Sequence, residues 1–182
     1  MPQLKQRKLN RFKDHGYALN GYYFVTICSK NREDIFGQYK RPVGAALVPA
    51  RNNIQLSIIG QIIDNQLNNL SNQYDNVVLD QYIIMPNHIH GILIIQNNDI
   101  CKRARTSGAP TLSTIIRSFK SKSSMAYLNH LKQNNEYKPV NIWQRSFYDH
   151  IIRTNNSLDA IRQYIANNPE NWENDIENIL NP

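Results

Sequence analysis

Met85 to Ile95 reads MPNHIHGILII, a Pro-Asn turn signal followed by two histidines one residue apart at the head of an apolar run. The stretch before it, NVVLDQYIIM (76–85), is rich in β-branched and aromatic residues. The two segments therefore read as strands joined at Pro86-Asn87 by a short hairpin connection. Side chains alternate along a strand, so His88 and His90 point to one face and Ile89 to the other.

Working outward from this hairpin, YYFVTICS (22–29) reads as a buried strand and GQYKRPVGAALVPARNN (37–53) as a loop or a short hairpin. LSIIGQIIDNQLNNLS (56–71) has Ile58, Ile62, Leu67 and Leu70 near helical spacing, which predicts a first helix despite Gly60. A polar loop, NNDICKRARTSGAP (97–110), leads to a second helix from near Thr111, with Leu112, Ile115, Ile116 and Phe119 on one face and Arg117, Lys120 and Lys122 on the other. SFYDHIIR (146–153) is a fourth strand. SLDAIRQYIANN (157–168) is a last helix with Ser157 as N-cap, and Pro169 moves Asn168 out of helical geometry. The order β-α-β-β-α-β plus a terminal helix is the α+β, ferredoxin-like split βαβ pattern on an antiparallel sheet. Right-handed crossovers put the first two helices on one face and leave the other face for a site.

The chain has 182 residues, with 21 Lys plus Arg against 14 Asp plus Glu. That length suits one folded unit, divided here into a basic arm (1–16), a core (17–172) and a tail (173–182). The net charge of +7 suits a polyanionic partner. Cys28 and Cys101 form no C-x-x-C pair, which argues against a disulfide framework or a cysteine zinc site. No apolar run nears the roughly 20 residues of a membrane span, and the basic N-terminus lacks the apolar centre of a signal peptide. A cytoplasmic, nucleoid-associated protein is expected.

Two neutral imidazoles on one strand face can share a divalent cation if further ligands exist. The cupin arrangement asks for a Glu where Ile94 stands, and the histidine-triad hydrolases ask for a His at Ile92. The terminal helix supplies another set: Tyr164 and Asn168 are four residues apart on one helical face, at the flank of the stripe Leu158, Ile161, Ile165. Tyr82 and Tyr127 have Pro86 and Leu131 at the corresponding places.

The segments YYFVTICSKNRE, IIMPNHIHGILI, TLSTIIRSFKS, IWQRSFYDHIIR and IRQYIANNPENW occur in this order. In that order and spacing the chain resembles the single-tyrosine HUH transposases of the insertion-sequence-200-like family, nearest the REP-associated tyrosine transposases. The resemblance runs from Tyr17 to Trp172 and implies a metal-dependent transposase that cleaves and rejoins single-stranded or hairpin DNA through a covalent 5'-phosphotyrosine. It implies His88, His90 and Asn168 as ligands of Mg²⁺ or Mn²⁺ and Tyr164 as nucleophile. Asn at 168, where the better-known insertion-sequence members carry Gln, and Pro169 after it follow the REP-associated branch.

Lys5, Arg7, Lys8, Arg11, Arg117, Lys120, Lys122 and Arg145 are candidate phosphate contacts, and Trp143 and Tyr148 candidate base-stacking residues, with the core as the other place for Trp143. His150 and Arg153 are candidates to support the site from behind the ligands. Two other classes compete: a rolling-circle replication initiator, disfavoured by the short chain without a helicase domain, and a ferredoxin-like hairpin-binding protein without catalysis. The terminal helix can cover the site from its own chain or from a partner in a homodimer, and the sequence does not choose.

Overall fold

The computed structural model describes residues 20–40, 53–96 and 110–175. The basic arm with Lys5, Arg7, Lys8 and Arg11, and Cys101 with most of its loop, lie outside the described residues. Among the described residues there are six strands: β1 (Gly21–Cys28), β2 (Gly37–Tyr39), β3 (Ile54–Leu56), β4 (Val77–Ile84), β5 (His88–Ile95) and β6 (Tyr148–Ile152). The helices are α1 (Ile58–Asn68), α2 (Leu70–Gln73), α3 (Leu112–Gln133) and α4 (Asn155–Asn167), the last running on into a 3-10 segment, Asn168–Asn174.

The main sheet has the order β4-β5-β1-β6, with every neighbouring pair antiparallel. This is the split βαβ arrangement expected from the hairpin. β2 and β3 pair separately and antiparallel, at the two ends of the stretch read as a loop or a short hairpin.

Alternation sorts the sheet into two faces. Tyr23, Val25 and Ile27 of β1 with Ile89, Leu93 and Ile95 of β5 pack against Ile63 and Leu67 of α1 and Leu112, Ile115, Ile116 and Phe119 of α3. Ile83, Ile92 and Ile152 on the opposite face pack against Leu158, Ile165 and Trp172 from the C-terminal segment. Each such side chain taken fully from water contributes about 1.5–3 kcal/mol, so α4 is held to this second face mainly by an apolar stripe. The face that the sequence left for a site is covered by α4 of the same chain.

Two helices depart from the expected registers. In α1 the inward residues are Gly60, Ile63 and Leu67, and Ile58 is exposed, one residue round from the expected stripe. The cause is a close approach: a Cβ on Gly60 would stand 2.0 Å from the Phe36 carbonyl oxygen, the same oxygen that accepts the Ser57 N–H. Gly60→Ala is expected to lower stability by about 2 kcal/mol or more, although Ala is the better helix former, because backbone rather than a movable side chain must yield. Thermal unfolding would measure it, and an unchanged or raised Tm would refute the close-packing account.

α4 starts before the predicted Ser157. Thr154 is the N-cap, its Oγ1 accepting from the Ser157 N–H at 3.2 Å. At the other end Asn168 keeps right-handed helical angles (φ −56°, ψ −40°) despite Pro169. The proline instead opens the 3-10 segment, where its missing N–H costs no hydrogen bond.

Candidate metal and nucleophile site

Register along the sheet brings the site together. His90 stands opposite Thr26, and His88 opposite Cys28. Both imidazoles are almost fully buried, and their ring centroids are 4.4 Å apart. Burial pushes the His88 pKa down to about 3, with Arg32 adding to the effect. Burial likewise takes His90 to about 3, helped by His88 and opposed by Asp175. Both rings are therefore neutral at ordinary pH, the form that binds metals.

Their tautomers are constrained by neighbours. His88 Nδ1 lies 2.9 Å from Asn87 Oδ1, which can only accept, so the proton sits on Nδ1 and the Nε2 lone pair faces the site. Asn87 is itself buried and donates through Nδ2 to the Arg32 carbonyl at 3.2 Å. His90 Nδ1 lies 2.9 Å from Thr26 Oγ1. Thus each histidine is oriented through the nitrogen that faces away from the site, as metal-ligating histidines commonly are.

The C-terminal segment completes the constellation. Tyr164 Oη is 3.2 Å from His90 Nε2, its ring meets Phe24 edge-on at 6.2 Å, and the residue is 48% exposed. Asn168 is buried, and its Oδ1 makes no hydrogen bond; the same holds of His88 Nε2. An unsatisfied buried polar atom costs about 1–3 kcal/mol, so the lone pair of His88 Nε2, facing the second histidine, points to a cation there. Asp175, at the end of the 3-10 segment, brings Oδ2 to 3.8 Å from His88 Nε2. With a neutral imidazole that distance is neither a hydrogen bond nor an ion pair. Ligand atoms of His88, His90 and Asp175 all fall within 4.8 Å of one another, near the roughly 4.2 Å spanned by a hexacoordinate shell. The residues present fit a divalent cation.

Other candidates are distributed differently. Tyr148 is exposed on the histidine face, its ring 6.5 Å from Phe24, and His150 pairs with Phe24 on the edge strand β6. His150 is exposed and makes no hydrogen bond or ring contact with His88 or His90 among the described residues. Arg145 and Arg153 are exposed on either side of β6. The helix α3 lies across the sheet from the histidines, which separates Arg117, Lys120 and Lys122 from this site. Lys122 reaches Gln73, and Lys120 donates to the Gln144 and Ser146 carbonyls at 2.8 and 2.9 Å. Trp143, read from the sequence as either a stacking or a core residue, packs against the core: its ring lies on Phe36 and Phe119, and its indole N–H donates to the Lys120 carbonyl.

Sequence reasoning missed Asp175, Thr26 and Asn87. Asn87 carried a local signal, a turn amide adjacent to His88. Thr26 needed the register of β1 on β5, and Asp175 needed the path of the chain after Pro169.

The supporting shell makes a prediction of its own. Asn87→Leu is expected to weaken Mn²⁺ binding by about 10- to 100-fold, because the Nδ1–H of His88 loses its acceptor and the ring its orientation. Calorimetric titration with Mn²⁺ would read this, and wild-type affinity in a folded variant would remove Asn87 from the account.

Comparison with known proteins accords with this geometry. The family described as "Transposase IS200 like" matches residues 17–168. An uncharacterized protein of Haemophilus influenzae (strain ATCC 51907 / DSM 11121 / KW20 / Rd) is 32% identical over 183 aligned positions, covering 94% of this chain and 93% of the relative. The solved structure of a REP-associated tyrosine transposase bound to a REP hairpin superposes with a TM-score of 0.58 at 16% identity, over 89% of this chain and 74% of that one. At that identity the superposition speaks for the fold.

Proposed function

The chain belongs to the IS200-like transposase family, and from that membership we propose that it cleaves and rejoins single-stranded DNA at REP-like hairpin sites, with Tyr164 as the nucleophile. The observation that carries this reading is the 3.2 Å contact between the Tyr164 hydroxyl and His90 Nε2, which links a solvent-accessible phenol to a buried histidine pair.

In the tautomer that gives the Nδ1 proton of His90 to Thr26 Oγ1, Nε2 keeps its lone pair and can accept from the Tyr164 hydroxyl. A phenol ordinarily loses its proton near pH 10, and the single Nε2 lone pair, with a pKa of about 3 and needed by any cation bound there, is not its base; the contact instead aligns the oxygen at the histidine pair. Tyr164 Oη attacks phosphorus, forming a P–O bond while the bond from phosphorus to the 3'-oxygen breaks. The phenolic proton is lost to the surroundings and the departing 3'-oxygen gains one, leaving a 5'-phosphotyrosine and a free 3'-hydroxyl. The phosphotyrosyl bond keeps the energy of the broken link, so a second 3'-hydroxyl can rejoin the strand without ATP. A divalent cation, Mn²⁺ or Mg²⁺ by the mixed nitrogen and oxygen donor set, held by His88, His90, Asn168 and Asp175, would offset the phosphate charge and orient it.

The half-exposed Tyr148, beside Phe24 on the same face, offers a surface for an unpaired base, with stacking worth about 1–3 kcal/mol per base. The basic balance of the chain favours a polyanion. The likeness to a hairpin-bound transposase supports a hairpin as the partner here. Such a protein works in the cytoplasm, at the nucleoid.

The test uses labelled single-stranded hairpins drawn from the DNA flanking its own gene, with Mn²⁺ or Mg²⁺, resolved on a denaturing gel. A covalent protein–DNA band that EDTA abolishes is expected. Tight binding of a hairpin with no adduct under any metal would sink the reading and leave a hairpin-binding protein.

A further inference from the structure

The helix that carries Tyr164 and Asn168 rests on the sheet through the apolar stripe of Leu158, Ile161 and Ile165. Such a stripe fixes which side faces down but resists rolling about the helix axis only weakly, since dispersion contacts are non-directional. Rolling matters here because the phenol oxygen stands about 9 Å from the axis, so a roll of about 20° displaces it by roughly 3 Å.

A directional contact opposes that motion. Arg162 Nε donates to Asp80 Oδ2 at 2.8 Å and Nη2 to Asp80 Oδ1 at 2.7 Å, a two-pronged fork. The neighbouring residue Gln81 donates through Nε2 to the backbone carbonyl of Arg162 at 3.0 Å. In regular β structure two consecutive side chains cannot both reach one helix, because they point to opposite faces. Here the pairing of β4 with β5 shifts between Leu79 and Gln81, a bulge that adds Asp80 as the extra residue. Bulges re-aim side chains in this way. At about 100° per residue, Arg162 lies on one flank of the stripe and Tyr164 and Asn168 on the other. Pinning one flank therefore sets the height of the other over the histidines.

We propose that Asp80 and Gln81, turned to the same face by the bulge in β4, are positioning residues that grip Arg162, fix the roll of α4 and so hold Tyr164 Oη and Asn168 Oδ1 at the histidine pair. The inference rests on the proposed cleavage reaction for its kinetic consequence, but its geometric content is independent of catalysis. A misplacement of about 1 Å in a reacting group can cost about 10²-fold in rate.

Asp80→Ala and the milder Arg162→Lys, which keeps the charge and loses the fork, are compared with wild type and with the exchanged pair D80R/R162D. Single-turnover adduct formation on the hairpin substrate is expected to slow 10- to 100-fold in both single variants with KM unchanged, and to recover in part in the exchanged pair. In protein labelled on Tyr and His, the nuclear Overhauser contact between the Tyr164 and His90 rings is expected to weaken in Asp80→Ala and to return on exchange. Folded single variants with wild-type rate and wild-type ring contact would overturn the proposal, as would a rise in KM alone. If wild type forms no adduct, the reaction reading fails, and the ring contact still decides the clamp.

Discussion

Tyr164→Phe is expected to abolish the covalent protein–DNA adduct while hairpin binding stays within about twofold of wild type. The variant loses one oxygen and keeps the ring, which stands 5.2 Å from His90 and 6.2 Å from Phe24 by centroid. Because the side chain is half-exposed, the fold loses little. Removing a nucleophile outright leaves only positioning and electrostatic effects, so a fall of at least about 10³-fold follows. The two tyrosines weighed as competing nucleophiles are not placed to substitute. Tyr82 bonds to Asp64 and Asn68 near α1, and Tyr127 packs beside His130 on α3, across the sheet from the histidines. The denaturing gel distinguishes the alternatives: nicking that persists in Tyr164→Phe without an adduct would make water the nucleophile.

The second large effect concerns the histidine pair. His88→Ala is expected to weaken Mn²⁺ binding by at least about 10²-fold, more than the loss of its supporting amide from Asn87, since a ligand itself is removed. Adduct formation should fall with it, and excess Mn²⁺ should restore part of it. The same pair makes the metal-free protein acid-sensitive, and the sign follows from the two states. In the unfolded chain an imidazole titrates near 6.5; in the fold burial holds both His88 and His90 near 3. Between those values the unfolded state binds protons that the native state refuses, so stability is constant from this source above about pH 6.5 and falls as pH drops toward 3. Tm measured in EDTA between pH 8 and 4 would follow this loss, and His88→Leu/His90→Leu should show a flatter profile. Equal profiles for the two proteins would assign the acid sensitivity to other groups.

Mn²⁺ titration also separates the carboxylate from the imidazoles. In the proposed site Asp175 would add the one formal negative charge to the two imidazoles and the amide of Asn168, which would favour hard divalent cations.

The features legible in the sequence were those with a local or periodic cause. Pro86-Asn87 between two β-branched runs marks a hairpin, and alternation then puts His88 and His90 on one face whatever the rest of the chain does. The spacing of Leu158, Ile161 and Ile165 orients α4, and the same 3.6-residue period puts Tyr164 and Asn168 together on its flank. Where a periodic reading slipped, a long-range contact overrode it. Gly60 turned α1 by one residue because the Phe36 carbonyl sits against it.

Period and turn chemistry thus determined the split βαβ order, the paired histidines and the tyrosine helix, since each depends on residues within a turn or a few of one another. Only the tertiary structure decided that α4 covers the site of its own chain, that Thr26 backs His90, that Asp175 returns to His88, and that a bulge turns Asp80 toward Arg162. Each of these is a meeting of segments far apart in sequence, settled by strand register and by where the chain travels after Pro169. Neither leaves a periodic trace in the order of residues.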